Sequence, residues 1–394
     1  MRFFVFISAA LIALICFACN EEALSYQKVV VAVKIKEKGD FPAINNVQIK
    51  MTNTASGVVY NASCDDDGLA HLVVERGFYS VQAQYEYIDG AIQYMYNGRL
   101  DQIEVLSAKE EFQKVELFLD YSSKSAIVIS EVYFAGCKGN KGENYMKDQY
   151  IALYNNTHEI VYLDGLCVGT VAPAVASKPS SWMNATDMSF IPIAYMAWQF
   201  PGSGKEYPLL PGQEVMIANN AVNHQAGSYN HPNSVDLSHI DWAFWDPSLK
   251  HDINAGVKPL NMFWKHGTSS SYAIAVQGPT FVLFRFEDIV AGDFAKDPEN
   301  LQKEPGRPTS SSYFLMIPKE TIIDCVDIVE DLSDKNNKRV PASLDVEAVY
   351  MAAGRYSGRA LRRRVVTTND GDKQMQDTNN SFADFEEVIP SLKK

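Results

Sequence analysis

Apolar and polar residues alternate with a period of two in short runs along this chain, each run closed by a turn signal, and long helical spacing is not apparent. Between Gln27 and Asp120 the runs are Lys28–Lys36 (KVVVAVKIK), Val47–Thr52 (VQIKMT), Gly57–Ser63, Leu69–Glu75 (LAHLVVE), Phe78–Ile88 (FYSVQAQYEYI), Gln102–Leu106 and Phe112–Leu119. Lys38-Gly39-Asp40, Ser56-Gly57, Asp67-Gly68 and Arg76-Gly77 separate them. A period of two sends successive side chains to opposite faces of a pleated strand. A strand with one apolar face has to bury it against a second layer, so short strands joined by glycine turns predict a β-sandwich over 27–120.

Tyr121–Ser125 (YSSKS) is a short polar link, and a second strand series begins directly after it. Ala126–Gly136 (AIVISEVYFAG), Gln149–Asn156 (QYIALYNN), Ile160–Val168 (IVYLDGLCV) and Glu214–Asn219 (EVMIAN) read as strands, the last entered through Pro211-Gly212. The expected architecture is all-β: two sandwiches in tandem, 27–120 and 126–394, joined by 121–125. The second carries long insertions at about 170–310. That stretch holds all five tryptophans (Trp182, Trp198, Trp242, Trp245, Trp264) and five of the seven histidines (His224, His231, His239, His251, His266). Tyr272–Gln277 and Thr280–Phe286 are expected to be strands within it, and the rest decorated loops.

The N-terminus constrains location. Met1-Arg2 is a minimal basic start, and Phe3–Phe17 is an apolar run too short to span a bilayer but suited to a secretory signal. Ala18-Cys19-Asn20-Glu21-Glu22 follows. This junction resembles a bacterial lipobox, which implies removal of 1–18, acylation of Cys19 and a tether over 19–26. The acidic pair after the cysteine resembles the export signal of Bacteroidota-type surface lipoproteins. The expected location is therefore the outer membrane, on the cell surface. Hydrophobic residues at 46% and charged residues at 21% exclude wholesale disorder. A formal net charge of −13 gives no field to gather phosphate backbones, so no nucleic-acid partner is expected.

Two further resemblances follow from the strand motifs. Asn46–Ile49, Ser56-Gly57, Asp67–Ala70 and Arg76–Val81 resemble a transthyretin-like or carboxypeptidase-regulatory-like sandwich, which implies a spacer or docking module. Ile129-Ser130-Glu131, Tyr150–Asn155, Leu163–Leu166 and the Pro-Gly turn at 211–212 resemble the lamin-tail-type sandwich. The whole order, behind a lipobox, is similar to a family of Bacteroidota-type lipoproteins known only as a domain of unknown function.

Chemistry-bearing motifs are sparse. Asp65-Asp66-Asp67-Gly68 departs from a calcium loop because Val74 stands where the twelfth-position Glu belongs, and it reads as an acidic hairpin turn. His231, Asp236, His239, Asp241 and His251 are metal-ligand types without ligand spacing, and no HExxH occurs. GxSxG is absent, and Gly202–Lys205 lacks the upstream glycine of a P-loop. Arg355, Arg359, Arg362, Arg363 and Arg364 read as a strand end whose arginines pair with the acidic surplus or stay solvated, with a phosphate contact as the alternative. Cys64, Cys137, Cys167 and Cys325 lack any CxxC and read as buried thiols, with a Cys137–Cys167 bridge as the alternative. No cofactor or metal site is predicted. The expected function is a non-enzymatic binding or scaffolding accessory held on the membrane by its lipid anchor, with an outer-membrane protein such as a transporter as partner. The alternatives are a surface hydrolase on polysaccharide or peptide, and a metal or haem capture protein. Long loops on a rigid scaffold carry most binding sites, so contact is expected through loops bearing His231, His239, Trp242 and Trp245, with Trp264 and Tyr229 as further stacking aromatics.

Overall fold

The computed structural model describes residues 28–37, 46–89, 92–106, 112–123, 125–185, 188–367 and 373–393. The expected signal, Cys19 and the tether lie outside the described residues. The chain is all-β, as the alternation predicts: its described α-helices are three short ones, Ser181–Ala185, Ala291–Lys296 and Ser381–Asp384. No described helix is long and apolar enough to cross a membrane. Two compact units are present, one of residues up to Val81 with Leu100–Leu117, the other of Gln82–Arg99 with Phe118 onward.

The N-terminal strands form one seven-stranded sheet in the order Val59–Ser63, Gln48–Asn53, Gly77–Asp89, Ile92–Val105, Gln113–Ser123, Val29–Glu37, Leu69–Val74. Its first and last strands approach each other, so the sheet curls around its own apolar face. Val31, Val33, Ile49, Met51, Leu72 and Val81 fill that face at the alternate positions the pattern assigns. The acidic turn forms as read: Asp65 Oδ1 accepts the amides of Asp67 (3.0 Å) and Leu69 (2.9 Å), and Gly68 takes φ +69°. The strand Ile92–Val105 is far longer than the expected Gln102–Leu106. Its polar middle hides the alternation, and Gly98 sits where a Cβ would meet the Phe118 carbonyl oxygen at 2.4 Å. Only glycine allows that backbone approach.

The second unit is a layered sandwich. One sheet orders Lys258–Pro259, Trp242–Ala243, Glu214–Ala218, Tyr150–Asn155, Ile127–Tyr133, Ala360–Arg363, Phe385–Val388. The other is built on Cys167–Val171, Phe190–Gln199, Thr280–Phe284, Phe314–Pro318 and Ile322–Val329. Ile129, Ile151, Leu153, Trp198, Phe281 and Val326 pack between the two. The 170–310 stretch does more than decorate this core. Phe190–Gln199 is a ten-residue strand from inside it, unpredicted because FIPIAYMAWQ is apolar on both faces. Tyr272–Gln277, expected as a strand, is irregular; Tyr272 instead plugs the core against Trp198 and Phe244. Thr280–Phe284 is buried at every position because Phe281 and Leu283 face the central core, while Val282 and Phe284 face a second cluster with Trp182 and Ala291. On the opposite side, Val235, Leu237 and Ile240 cover Tyr133, Tyr150 and Ala218. Both outer faces of the sandwich are thus roofed by the inserted chain.

Buried ion pairs lock the layers. The Arg363 side chain is 1% exposed. Its Nη2 donates to both Asp324 oxygens at 3.0 Å, its Nη1 to Asp377 (3.1 Å) and Asp384 (3.3 Å), and its Nε to the Ile129 carbonyl (3.0 Å). Arg362 bonds Glu131 and Glu214, and Arg359 and Arg364 pair with Glu387 and Glu386, so of the states open to the arginine run the structure adopts the paired one. Arg339, fully buried, pairs with Asp327 and donates to the carbonyls of Gly278 and Ile328. Cys64, Cys137, Cys167 and Cys325 are buried free thiols.

Two outcomes are expected. Arg363→Met leaves three buried carboxylates without their cation and costs about 3–5 kcal/mol of unfolding free energy, read by denaturant titration. The pH dependence has a defined sign. Burial, opposed by Arg363, pushes Asp324 up to about 7, and burial pushes Asp345 up to about 6. Their stabilisation is complete below the ordinary carboxylate range and is lost as pH rises through about 6 to 7. Asp327, though burial pushes it upward, is held below its ordinary value by Arg339 and Lys338, and its contribution is lost on acidification. Urea midpoints should therefore fall as pH is raised from about 5 to about 8. Midpoints rising steadily over that range would contradict the assignment.

Candidate functional site

The four residues expected to make contact stand in different environments. His231 packs against Tyr145, with ring centroids 3.8 Å apart and planes tilted by 34°, and its Nδ1 lies 3.5 Å from Glu143 Oε1. Tyr145 Oη donates to His224 Nδ1 at 2.6 Å, and His224 Nε2 reaches the Asn220 carbonyl at 2.9 Å. That pair of contacts assigns the proton to Nε2, since a carbonyl only accepts. Burial lowers the His224 pKa, which keeps the ring neutral. Fully buried Asp148 accepts from Tyr133 Oη (2.8 Å) and Ser234 Oγ (2.6 Å). Tyr229 donates to Asp252. These bonds pin the 220–238 loop onto the sheet beneath it.

His239 is exposed, between buried Leu237 and Ile240. Trp242 is 2% exposed. Its ring meets Phe200 and Tyr207 edge to face at 4.9 Å, and Lys258 Nζ lies 5.3 Å from its centroid. It begins a two-residue parallel strand beside Glu214–Ala218, which carries it into the central core. Trp245 is half-buried and donates to the His251 carbonyl at 3.0 Å. His251 in turn accepts the Tyr272 amide at Nε2 (3.0 Å) and faces the Phe244 carbonyl with Nδ1 (3.2 Å); burial lowers its pKa. Among the described residues no ring contact joins His231 to either tryptophan. Nor do three or more His, Cys, Asp or Glu side chains converge there as a metal site.

A different aromatic group is gathered at the surface. Asn261–Lys265 pairs with Phe190–Gln199, which also pairs with Phe314–Pro318. This register brings Trp264, His266 and Phe314 into a row: Trp264 to His266 at 6.1 Å, then His266 stacked on Phe314 at 5.2 Å and 19°. All three are half-buried. Buried Trp182 supports Phe314 edge to face at 5.6 Å. The His266 amide donates to Tyr195 O at 2.7 Å, and the Tyr195 side chain is exposed. Tyr313 is 45% exposed, with Lys303 Nζ 5.2 Å from its ring. Polar groups stand close in the chain: Ser181 Oγ bonds Glu304 (3.1 Å), which pairs with Arg307 (3.3 Å). The Trp-Lys-His and Tyr-Phe pairs hint at this strip in the sequence, but the strand register that joins them is not a sequence signal.

Substitution separates these roles. Trp242→Ala should cost about 3–5 kcal/mol, as for a core aromatic, and lower the melting temperature accordingly. Trp264→Ala and His239→Ala should cost well under that, because their rings already meet solvent. Thermal unfolding of the three variants decides it.

Comparison with known proteins places the fold. Residues 210–391 match the profile of a family described as Protein of unknown function (DUF4876). No curated protein matches the chain. The crystal structure of a DUF3823 family protein from Parabacteroides merdae ATCC 43184 is 9% identical over 48% of this chain and 78% of that one, with a TM-score of 0.17. A DUF4876 family protein from Bacteroides thetaiotaomicron VPI-5482, solved at 2.50 Å resolution, is 26% identical with a TM-score of 0.63, over 93% of this chain and 97% of that one. The chain thus carries the DUF4876 profile across its C-terminal part, on a fold similar to that of a solved DUF4876 protein over nearly its whole length.

Proposed function

We propose that this protein is a non-enzymatic binding accessory of the bacterial cell envelope, held at the outer membrane by acyl chains on Cys19. It presents the Trp264–His266–Phe314 strip to an outer-membrane protein partner. The observation that carries the reading is the strip itself. Large aromatic rings left half in solvent, yet backed by a buried tryptophan, give apolar contact area at little entropic cost, and such residues are enriched at protein contact surfaces. The buried and part-buried ion pairs support the same reading, because Arg339, Arg362 and Arg363 and their carboxylates join strands to one another. Anchoring follows from the Ala18-Cys19-Asn20-Glu21-Glu22 junction, since each buried acyl CH₂ contributes ~0.8 kcal/mol.

The test is crosslinking and co-purification of the tagged protein from membranes of a Bacteroides host. Cys19→Ala should leave an unprocessed or mislocalised precursor. Trp264→Ala combined with Tyr313→Ala should remain membrane-bound and folded but lose its membrane-protein partner. Normal processing and membrane retention of Cys19→Ala would refute the anchor. An unchanged partner profile for the double variant would refute the contact surface.

A further inference from the structure

A half-open cleft of about 550 Å³ lies elsewhere in the second unit, between the chain at Ser125–Ala126, the segment after the strand Thr280–Phe284, and Glu320–Ile323. Its lining combines one cation, Arg285, with apolar Phe286, Ile289 and Ile322 and two exposed carboxylates, Glu287 and Glu320. That volume suits a small-molecule ligand.

Arg285 differs from the ion-paired arginines described above. The buried arginines Arg339 and Arg363 each hold a carboxylate, and so does the part-buried Arg362. Arg285 is half-buried, yet no carboxylate among the described residues lies within 4.0 Å of it. Its amide donates to Thr321 O (3.1 Å) and its Nη2 to Tyr162 O (2.7 Å), so main chain and guanidinium are both fixed. Its Nε is shut off from solvent with no acceptor. The acidic groups that act on it are the Cys167 thiol, whose ionisation burial opposes, and Asp164, already engaged by the amides of Gly204, Glu206 and Tyr207. The sealed Nε is out of reach from the cleft and Nη2 is taken, so Nη1 is the donor left for an incoming anion, and a partly desolvated guanidinium without a carboxylate gains from one. A simple anion would meet Glu287 and Glu320. A ligand carrying an ammonium as well would match both charges.

The geometry points to a binding site for a small apolar zwitterion of the α-amino acid or dipeptide class. Its carboxylate lies on Arg285, its ammonium toward Glu287 and Glu320, and its side chain against Phe286, Ile289 and Ile322. The site is independent of the aromatic strip, so failure of one reading leaves the other standing.

Calorimetric titration of the purified protein with L-leucine, Leu-Leu, N-acetyl-leucine and leucinamide tests it. Saturable binding of leucine or Leu-Leu is expected, and the stronger of the two tells free amino acid from peptide. N-acetyl-leucine lacks the ammonium and leucinamide lacks the carboxylate, so each should bind at least tenfold more weakly. Arg285→Gln should abolish binding without lowering the melting temperature, because it removes an uncompensated charge. Should that variant fail to fold, Ile289→Asp, at a position 53% exposed, is expected to weaken binding at least tenfold in a folded protein. No saturable binding of either zwitterion would overturn the proposal. So would leucinamide binding as tightly as leucine, or unaltered affinity in folded Arg285→Gln or Ile289→Asp.

Discussion

The second unit depends on one guanidinium. Arg363 stands on the strand Ala360–Arg363 of one sheet and holds Asp324 on the strand Ile322–Val329 of the other. Through Asp377 and Asp384 it also fixes the C-terminal segment that supplies the edge strand Phe385–Val388, and it reaches the Ile129 carbonyl. Asp324 returns the contact by accepting the Ile129 amide at 2.6 Å. Apolar packing between sheets is non-directional and tolerates sliding; a charge bonded to fixed acceptors on five residues does not. Desolvation makes such a cluster a poor source of net stability compared with an apolar core of the same shape. Its effect is to fix which strands lie opposite which.

The inserted chain is the second requirement. A two-layer sandwich whose central strands are apolar on both faces would expose two hydrophobic surfaces to water. Residues 219–257 cover one, and the helix Ala291–Lys296 with the Trp182 segment covers the other. This accounts for the histidines and tryptophans concentrated there. Trp182, Trp198 and Trp242 are roof and core; His224 and His251 are buried hydrogen-bond anchors. What is left for contact is the minority the roof does not consume, above all the strip around His266 and Phe314.

Arginine chemistry separates scaffold from site in the same way. Where a guanidinium is enclosed by this chain's own carboxylates, as at Arg339 and Arg363, its charge is spent on the fold. Arg285 is enclosed without one, and the cleft beside it is where an external anion can enter.

By itself the sequence determined the all-β class, most strands of the N-terminal sheet and the Asp65–Gly68 turn. Each is written locally, in a period of two or in a turn residue with positive φ. It could not reveal Phe190–Gln199, because a strand buried on both faces has no alternation to read. Nor could it separate Trp242 from Trp264. Both are tryptophans in Pro- and Gly-rich surroundings, and only sheet register sends one into the core and leaves the other half in solvent. The orphaned state of Arg285 is likewise a tertiary fact. Whether a charge is paired depends on which distant carboxylates the packed layers bring within reach.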